Sequence, residues 1–339
     1  MYPDSYSGAA NDAGVKVIRL SRRGLPLARF VWNRMKFADA IRRIHRANPI
    51  DILEGSELDA AFLNRSMPGV KVLRMHGGPS VLETGNKIQL LKQQWSLRVA
   101  DQLCAVSQFV AGETRRRLGL GSRPIEVIWN PVDTDAFAPA PDAVEEDGLI
   151  LFAGSITENK GIRQLVQAMP QVLAEAPNAR LEVYGSAPLD PALAAPSIPE
   201  LNALIPAAAA ARIEWKGRVA HAELPAFIRR ATVCVYPSHM EAMPIAWLEA
   251  LAAGKAVVAS QTGPGPEVIE DGVTGLLCDP RDPGSIARKI VRLLKDRGLR
   301  GRLGAAARIV AVERYALEKI VQQNLAYYNR ICHTDSPEP

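Results

Sequence analysis

The chain has 339 residues, 47% apolar and 23% charged, enough for two domains with a core each and too apolar for a disordered polymer. No run of some eighteen apolar residues occurs, and the N-terminal "MYPDSYSGAANDAG" lacks the basic-then-apolar layout of a signal peptide. Neither a membrane span nor secretion is therefore expected, and the cytoplasm is the default location. The net charge of +5 is unevenly spread: residues 1–137 carry 20 Lys and Arg against 13 Asp and Glu, the remainder 21 against 23.

In chain order, "VKVIRL" is the first predicted strand. The stretch "RRGLPLARFVWNRMKFADAIRRIHR" follows, in which Phe30, Val31, Met35, Phe37, Ala38 and Ile41 form an apolar stripe flanked by Arg34, Lys36, Arg42, Arg43 and Arg46. This predicts a surface helix. Its basic face also suits anionic lipid, which makes peripheral contact with the inner face of the cell membrane a secondary expectation. No helix-turn-helix, zinc or RNP-like motif accompanies the charge, so no nucleic-acid partner is expected.

The runs "IDILEG", "VKVLRM", "QLCAVS" and "IEVIWN" are further strands of the first part, alternating with helical patterns. A second series reads "LILFAG", "RLEVYG", "RIEWKG", "TVCVYP", "AVVAS" and "GLLCD". Such alternation predicts parallel sheets with helices on both faces. Between the two series lies "WNPVDTDAFAPAPDAVEEDG", rich in Pro, Ala and acids, which reads as the connection. The expected layout is a first domain over 1–137, a linker over 138–147, a second domain over 148–316, a helix over 317–331 crossing back to the first domain, and a tail over 332–339. The fold class is α/β, two doubly wound Rossmann-like domains facing a cleft. Sites in such folds lie in the loops after strands. Cys104, Cys234, Cys278 and Cys332 have no paired spacing and read as small core residues or inert thiols.

Three strand-end loops of the second domain carry candidate chemistry. After "LILFAG", the turn from Ser155 through Lys160 to Gly161 feeds a helix, a combination that can cradle an anion, although an ordinary strand-to-helix turn has the same pattern. After "TVCVYPS", Glu241 stands before the helix "PIAWLEALAAG" and Glu249 inside it, among Ala246, Trp247, Leu248, Ala250 and Leu251. Two carboxylates so placed suit vicinal diols, and the N–H groups between them suit phosphate or sugar oxygens. "TGPGPEVIE" closes the set with a rigid turn and a short helix starting by Glu267.

Together, "FAGSITENKG", "YPSHMEAMPIAWLEALAAGKAVVAS", "TGPGPEVIEDGVTGLLCDP" and "NPVDTDAF" resemble the retaining, GT-B-fold glycosyltransferases of family 4, with Glu241 and Glu249 as the Glu-x7-Glu pair. The resemblance implies a nucleotide-diphosphate sugar as donor, held by the second domain, and a saccharide or lipid-linked acceptor at the first. It implies that Glu241 meets donor-sugar hydroxyls and Glu249 the ribose diol, with Ala242, Met243, Pro244 and Ile245 beside the sugar and diphosphate. Lys160 would neutralise the diphosphate, Val219 would lie in the base-contacting loop, and His76, after a strand in "VLRMHGGP", would face the donor sugar, with a hydrogen-bonded loop histidine as the competing reading. No metal or other cofactor is implied.

Two departures from the family pattern stand out. Ser155 occupies the position where the family commonly has an arginine, leaving Arg163 or Arg218 as substitutes. The chain also opens without the usual strand, glycine loop and helix, so the first domain is expected to be incomplete. These departures keep alive a non-catalytic or decayed nucleotide-sugar-binding protein. An epimerase or hydrolase using Glu241 fits less well, since glycosidases need two carboxylates about 5 to 9.5 Å apart across one bond.

Overall fold

The computed structural model describes residues 8–20, 26–57, 66–78, 87–140, 142–188 and 195–333. The chain forms two compact units. One comprises residues 1–105, 114–126 and 326–339; the other comprises 106–113 and 127–325. Residues 127–137, expected at the end of the first domain, thus belong to the second unit.

The first unit opens with β1 (Gly8–Asp12) and β2 (Val15–Arg19), an antiparallel hairpin with Asp12 opposite Val15. This corrects the expectation that "VKVIRL" is a strand of the parallel sheet. The cause is local: Ala13 and Gly14 have φ of 48° and 87°, the two positive values of a two-residue hairpin turn whose twist matches its strands. The Asn11 Oδ1 accepts from the Gly14 N–H at 2.9 Å and closes the turn. Helix α1 (Pro26–Ala47) follows. Of its expected apolar stripe Ala38 is buried and Ile41 half-buried, whereas Met35 and Phe37 are exposed; the side chains at 30, 31 and 34 lie outside the described residues.

The unit's sheet is built from β3 (Ile52–Ser56), β4 (Val70–Met75), β5 (Gln102–Ala105) and β6 (Glu126–Val127), in that order among the described residues. The pairs β3–β4 and β4–β5 are parallel. Helix α2 (Lys87–Val99) joins β4 to β5, and α3 (Gln108–Leu118) follows β5.

In the second unit the strands are β7 (Leu149–Ala153), β8 (Arg180–Tyr184), β9 (Ile213–Gly217), β10 (Val233–Tyr236), β11 (Val257–Ser260) and β12 (Leu276–Cys278). All are parallel, in the order β9-β8-β7-β10-β11-β12. Every residue of β7, β10 and β11 is buried, as expected of parallel strands covered on both faces. The covering helices include α4 (Ile162–Glu175), α5 (Ile198–Asn202), α6 (Ala207–Ala210), α7 (Leu224–Arg230), α8 (Ile245–Ala252), α9 (Gly265–Val268), α10 (Pro283–Lys295) and α11 (Arg297–Val310). The amphipathic α4 and α10 drive Ile162, Leu165, Met169, Ile286 and Ile290 into one core with Ile150, Val235 and Val258. Each such fully buried aliphatic side chain contributes about 1.5–3 kcal/mol. Strand order reverses between β7 and β10, so the loops leaving these two strands meet, the place where open α/β sheets bind ligands.

Helix α12 (Leu317–His333) ends the described chain, and its residues from Ala326 onward belong to the first unit. There Tyr328 Oη donates to Glu54 Oε2 at 2.7 Å, Arg74 Nε donates to Glu54 Oε1 at 2.7 Å, and Tyr327 is buried. No helix among the described residues is long and apolar enough to cross a membrane. Cys104, Cys234 and Cys278 are buried free thiols; burial pushes the Cys234 and Cys278 thiols up to about 12, so both stay protonated and inert.

Candidate active site

At the strand-order reversal the loop after β7 makes a 3-10 turn over Glu158–Lys160 and enters α4 through Gly161. Gly161 has φ of 69°, and a Cβ there would stand 1.9 Å from the Pro237 carbonyl oxygen, so the two loops touch backbone to backbone. The His239 N–H donates to the Asn159 carbonyl at 2.8 Å, and Asn159 Nδ2 donates to the Met240 carbonyl at 2.8 Å. This contact brings Lys160 Nζ to 2.6 Å from Glu241 Oε1.

The loop from Pro237 to Pro244 is gripped by its carbonyl oxygens. Thr262 Oγ1 donates to His239 at 2.7 Å, Ser107 Oγ to Ala242 at 2.7 Å, and Asn130 Nδ2 to Met243 at 2.9 Å. The N–H groups of Ala242, Met243 and Ile245 find no acceptor among the described residues. Open N–H groups just ahead of a helix, in a loop whose Glu241 holds the Lys160 ammonium, have the chemistry of an anion cradle. Met243 and Pro244 are buried, Ala242 half-buried and Ile245 exposed, so the cradle has an apolar floor and an open edge. The "TGPG" loop lies against it, since a Cβ on Gly263 would come within 3.2 Å of the Glu241 carbonyl oxygen.

Glu249 lies in α8 between buried Leu248 and Ala250 and is itself 4% exposed. A buried carboxylate without a partner is costly, and its partner is His221, whose Nε2–H donates to Glu249 Oε1 at 2.7 Å. His221 follows β9 and leans on Phe137, ring centroids 5.5 Å apart. Val219, two residues earlier, is half-buried.

The structure thus brings Lys160, Glu241 and residues 242–245 together and sets Glu249 beside His221. Ser155 is exposed at the start of its loop. Of its two suggested substitutes, Arg163 is held by Glu158 through Nε at 3.0 Å, an ion pair that raises the Arg163 pKa, and Arg218 is exposed. His239 is half-buried with Nε2 at 3.1 Å from Gln164 Oε1; burial, then the Arg281 cation, lower its pKa. In the first unit His76 is an exposed side chain on a tightly held backbone. The buried Glu57 accepts the His76 N–H through Oε2 at 3.1 Å and the Gly78 N–H through Oε1 at 2.7 Å.

Sequence reasoning missed His221, Glu57, and the carbonyl-gripping Ser107, Asn130, Asn159 and Thr262. It also gave Glu267 no task. That carboxylate accepts the N–H groups of Gln108 and Phe109 at 2.9 and 3.0 Å and Trp129 Nε1 at 2.7 Å, fixing the start of α3. Among the described residues no three His, Cys, Asp or Glu side chains converge as a metal site.

Residues 133–310 match the family model described as glycosyl transferases group 1, and residues 2–136 match that of glycosyltransferase family 4. The chain is 29% identical over 268 residues to the α-maltose-1-phosphate synthase of Mycolicibacterium smegmatis, covering 73% of this chain and 67% of that protein. It spans between about half and two thirds of the length of the curated relatives it matches. Among solved structures, sucrose-phosphate synthase from Thermosynechococcus elongatus superposes with a TM-score of 0.83 at 22% identity, over 97% of this chain and 86% of that one. Anabaena HepE in complex with UDP-glucose gives 0.76 at 18% identity, over 92% and 85%. At such identities these likenesses speak for the fold alone.

Proposed function

The chain belongs to the glycosyl transferases group 1 and has the GT-B fold, and from that premise we propose that it transfers a sugar from a nucleoside-diphosphate donor to a saccharide or lipid-linked acceptor with retention of anomeric configuration. The observation that carries the reading is the cradle: open N–H groups of Ala242, Met243 and Ile245 in the loop whose Glu241 holds Lys160, with Glu249 inside the helix that follows. The UDP-glucose complex of HepE and the phosphosugar synthases among the similar proteins support a nucleotide-sugar donor.

Each group then has a task set by charge. Breaking the bond from the anomeric carbon to phosphate leaves negative charge on the diphosphate, which Lys160 and the fixed N–H dipoles stabilise without reorganising. Lys160 Nζ lies 2.6 Å from Glu241 Oε1, and the donor diphosphate would share that ammonium while Glu241 turns to the sugar hydroxyls. Glu249 takes the ribose diol, the Val219 loop the base, and His76 the donor sugar, as the resemblance implies. The scheme uses protein cations and amides and requires no metal, so transfer should survive a chelator unchanged.

The deciding experiment is calorimetric titration of the chain with UDP, GDP and ADP, beside Glu249→Ala and Lys160→Ala. One nucleotide should bind, with each variant weaker by about tenfold or more. Failure of all three to bind folded protein would sink the reading. A second reading, binding without transfer, is favoured by exposed Ser155 and by Arg163 being held by Glu158. Nucleotide binding with no glycoside product from any acceptor tested would select it; free sugar or an epimer as product would select a hydrolase or epimerase. We place the protein in the cytoplasm, touching anionic lipid through α1, whose Met35 and Phe37 are 62% and 47% exposed. Co-sedimentation with anionic but not neutral vesicles checks that placement.

A further inference from the structure

We propose that His221 is the positioning residue for ribose recognition: it fixes the Glu249 carboxylate so that one oxygen is spent on the protein and the other is presented to a ribose hydroxyl. The inference rests on the donor-site reading above and assigns a role to a residue outside the Glu-x7-Glu pair.

Three observations carry it. First, Glu249 sits in a helix whose neighbouring positions are buried and apolar, so nothing on its own element can orient the carboxylate. Second, His221 Nε2 lies 2.7 Å from Oε1, while no second partner for the carboxylate lies among the described residues and Oε2 is not among the sealed, unpaired polar atoms. One oxygen is therefore held and the other is open. Third, the two side chains differ sharply in exposure, 72% for His221 and 6% for Glu249. The ring stands at the mouth of the carboxylate's recess, steadied by buried Phe137, and adjoins the loop that carries Val219.

The geometry has a chemical consequence. A free carboxylate accepts hydrogen bonds at about four lone-pair sites and rotates to suit. With Oε1 tied, its plane is set before ligand arrives, and the cost of ordering it has already been met on folding. A nucleotide with a complete ribose gains from this arrangement, and one lacking the 2′-hydroxyl leaves a buried acceptor short of a donor, which is how a polar site rejects a deoxy analogue. His221 thus acts on specificity through Glu249 and need not touch the reacting atoms.

The test measures the affinity of UDP, GDP or ADP, whichever the wild-type chain binds, and of its 2′-deoxy counterpart, for wild type, His221→Ala and His221→Gln. Wild type should favour the ribonucleotide by about tenfold or more. In His221→Ala the ribonucleotide should weaken to near the deoxy value while the deoxy affinity holds, so that discrimination falls to about twofold or less. His221→Gln, which keeps an N–H donor, should restore part of it. Equal losses for both nucleotides, or discrimination retained in His221→Ala, would overturn the proposal while leaving the donor site intact. If wild type binds no nucleotide, the donor-site reading fails and this one falls with it.

Discussion

In the second unit the loop leaving β10 is anchored mainly through carbonyl oxygens, by Ser107, Asn130, Asn159 and Thr262, with one N–H, that of His239, bound to the Asn159 carbonyl, whereas in the first unit the loop leaving β4 is anchored through N–H groups, by the two oxygens of Glu57. Each loop is fixed by side chains reaching from elsewhere, at about 0.5–1.5 kcal/mol per hydrogen bond. The polarity left over is opposite. Gripping carbonyls leaves amide donors free, which suits phosphate; gripping the N–H groups of His76 and Gly78 removes donors and leaves the imidazole as the offered polar group. Under the function proposed above, the free amide donors of the one loop would meet a diphosphate and the imidazole of the other a hydroxyl.

The largest way to break the comparison is Gly161→Ala. A methyl there would stand 1.9 Å from the Pro237 carbonyl oxygen, at a φ of 69° that side chains resist, so the two loops must part. We expect a loss of about 2–4 kcal/mol in urea unfolding and loss of measurable nucleotide binding. Wild-type affinity in this variant would mean that the loop contact does not build the cradle.

Glu57→Ala attacks the other side. It strands two N–H groups of a half-buried turn, at up to about 1–3 kcal/mol each, and frees the backbone that aims His76. Transfer should fall about a hundredfold with nucleotide affinity unchanged, as kcat against calorimetric Kd would show. A parallel loss of both would show that the loops do not divide the work. A smaller effect runs in the opposite direction. Ser155→Arg adds a cation at the exposed head of the phosphate loop, and donor affinity should rise about tenfold through a charge-assisted contact; no gain would place Ser155 away from the diphosphate.

These two loops also differ in what a reader of the sequence can find. The strands that launch them are legible because "VKVLRM" and "TVCVYP" are apolar, β-branched runs, and in the second unit apolar runs or apolar–polar alternation mark all six strands. Glu241 and Glu249 are legible as carboxylates in a stretch with little other polarity. The anchors are not. Ser107 and Ala242 are 135 residues apart, Asn130 and Met243 113, and His221 and Glu249 28. A side chain that bonds a distant backbone leaves no periodicity behind. Glu57 reads as one more charge after a strand until the fold lays it under the His76–Gly78 turn. The hairpin of β1 and β2 escaped for a local reason: its turn places Ala13, a residue with no left-handed preference, at φ of 48°.

The smallest expected effect concerns His239, the histidine of the β10 loop. His239 is half-buried, and burial followed by the nearby Arg281 cation lowers its pKa from the ordinary 6.5, with Glu158 and Asp279 opposing. A histidine whose folded pKa is lowered binds its proton more readily when unfolded, so between that lowered value and 6.5 the unfolded state takes up more protons than the native one. Stability should therefore fall as pH drops below 6.5 and level off once the folded state is also protonated. Above that window the effect vanishes, because the ring is neutral in both states. His239→Gln keeps a side-chain amide within reach of Gln164 and removes the titration. Urea unfolding at pH 7.5 and at pH 5.5, about a unit either side of the histidine's ordinary range, should show wild type losing more stability on acidification than the variant. Parallel losses would mean that His239 is as accessible to protons in the fold as in the unfolded chain. The β10 loop would then be held by its carbonyl anchors alone, with no contribution from a neutral ring packed behind them.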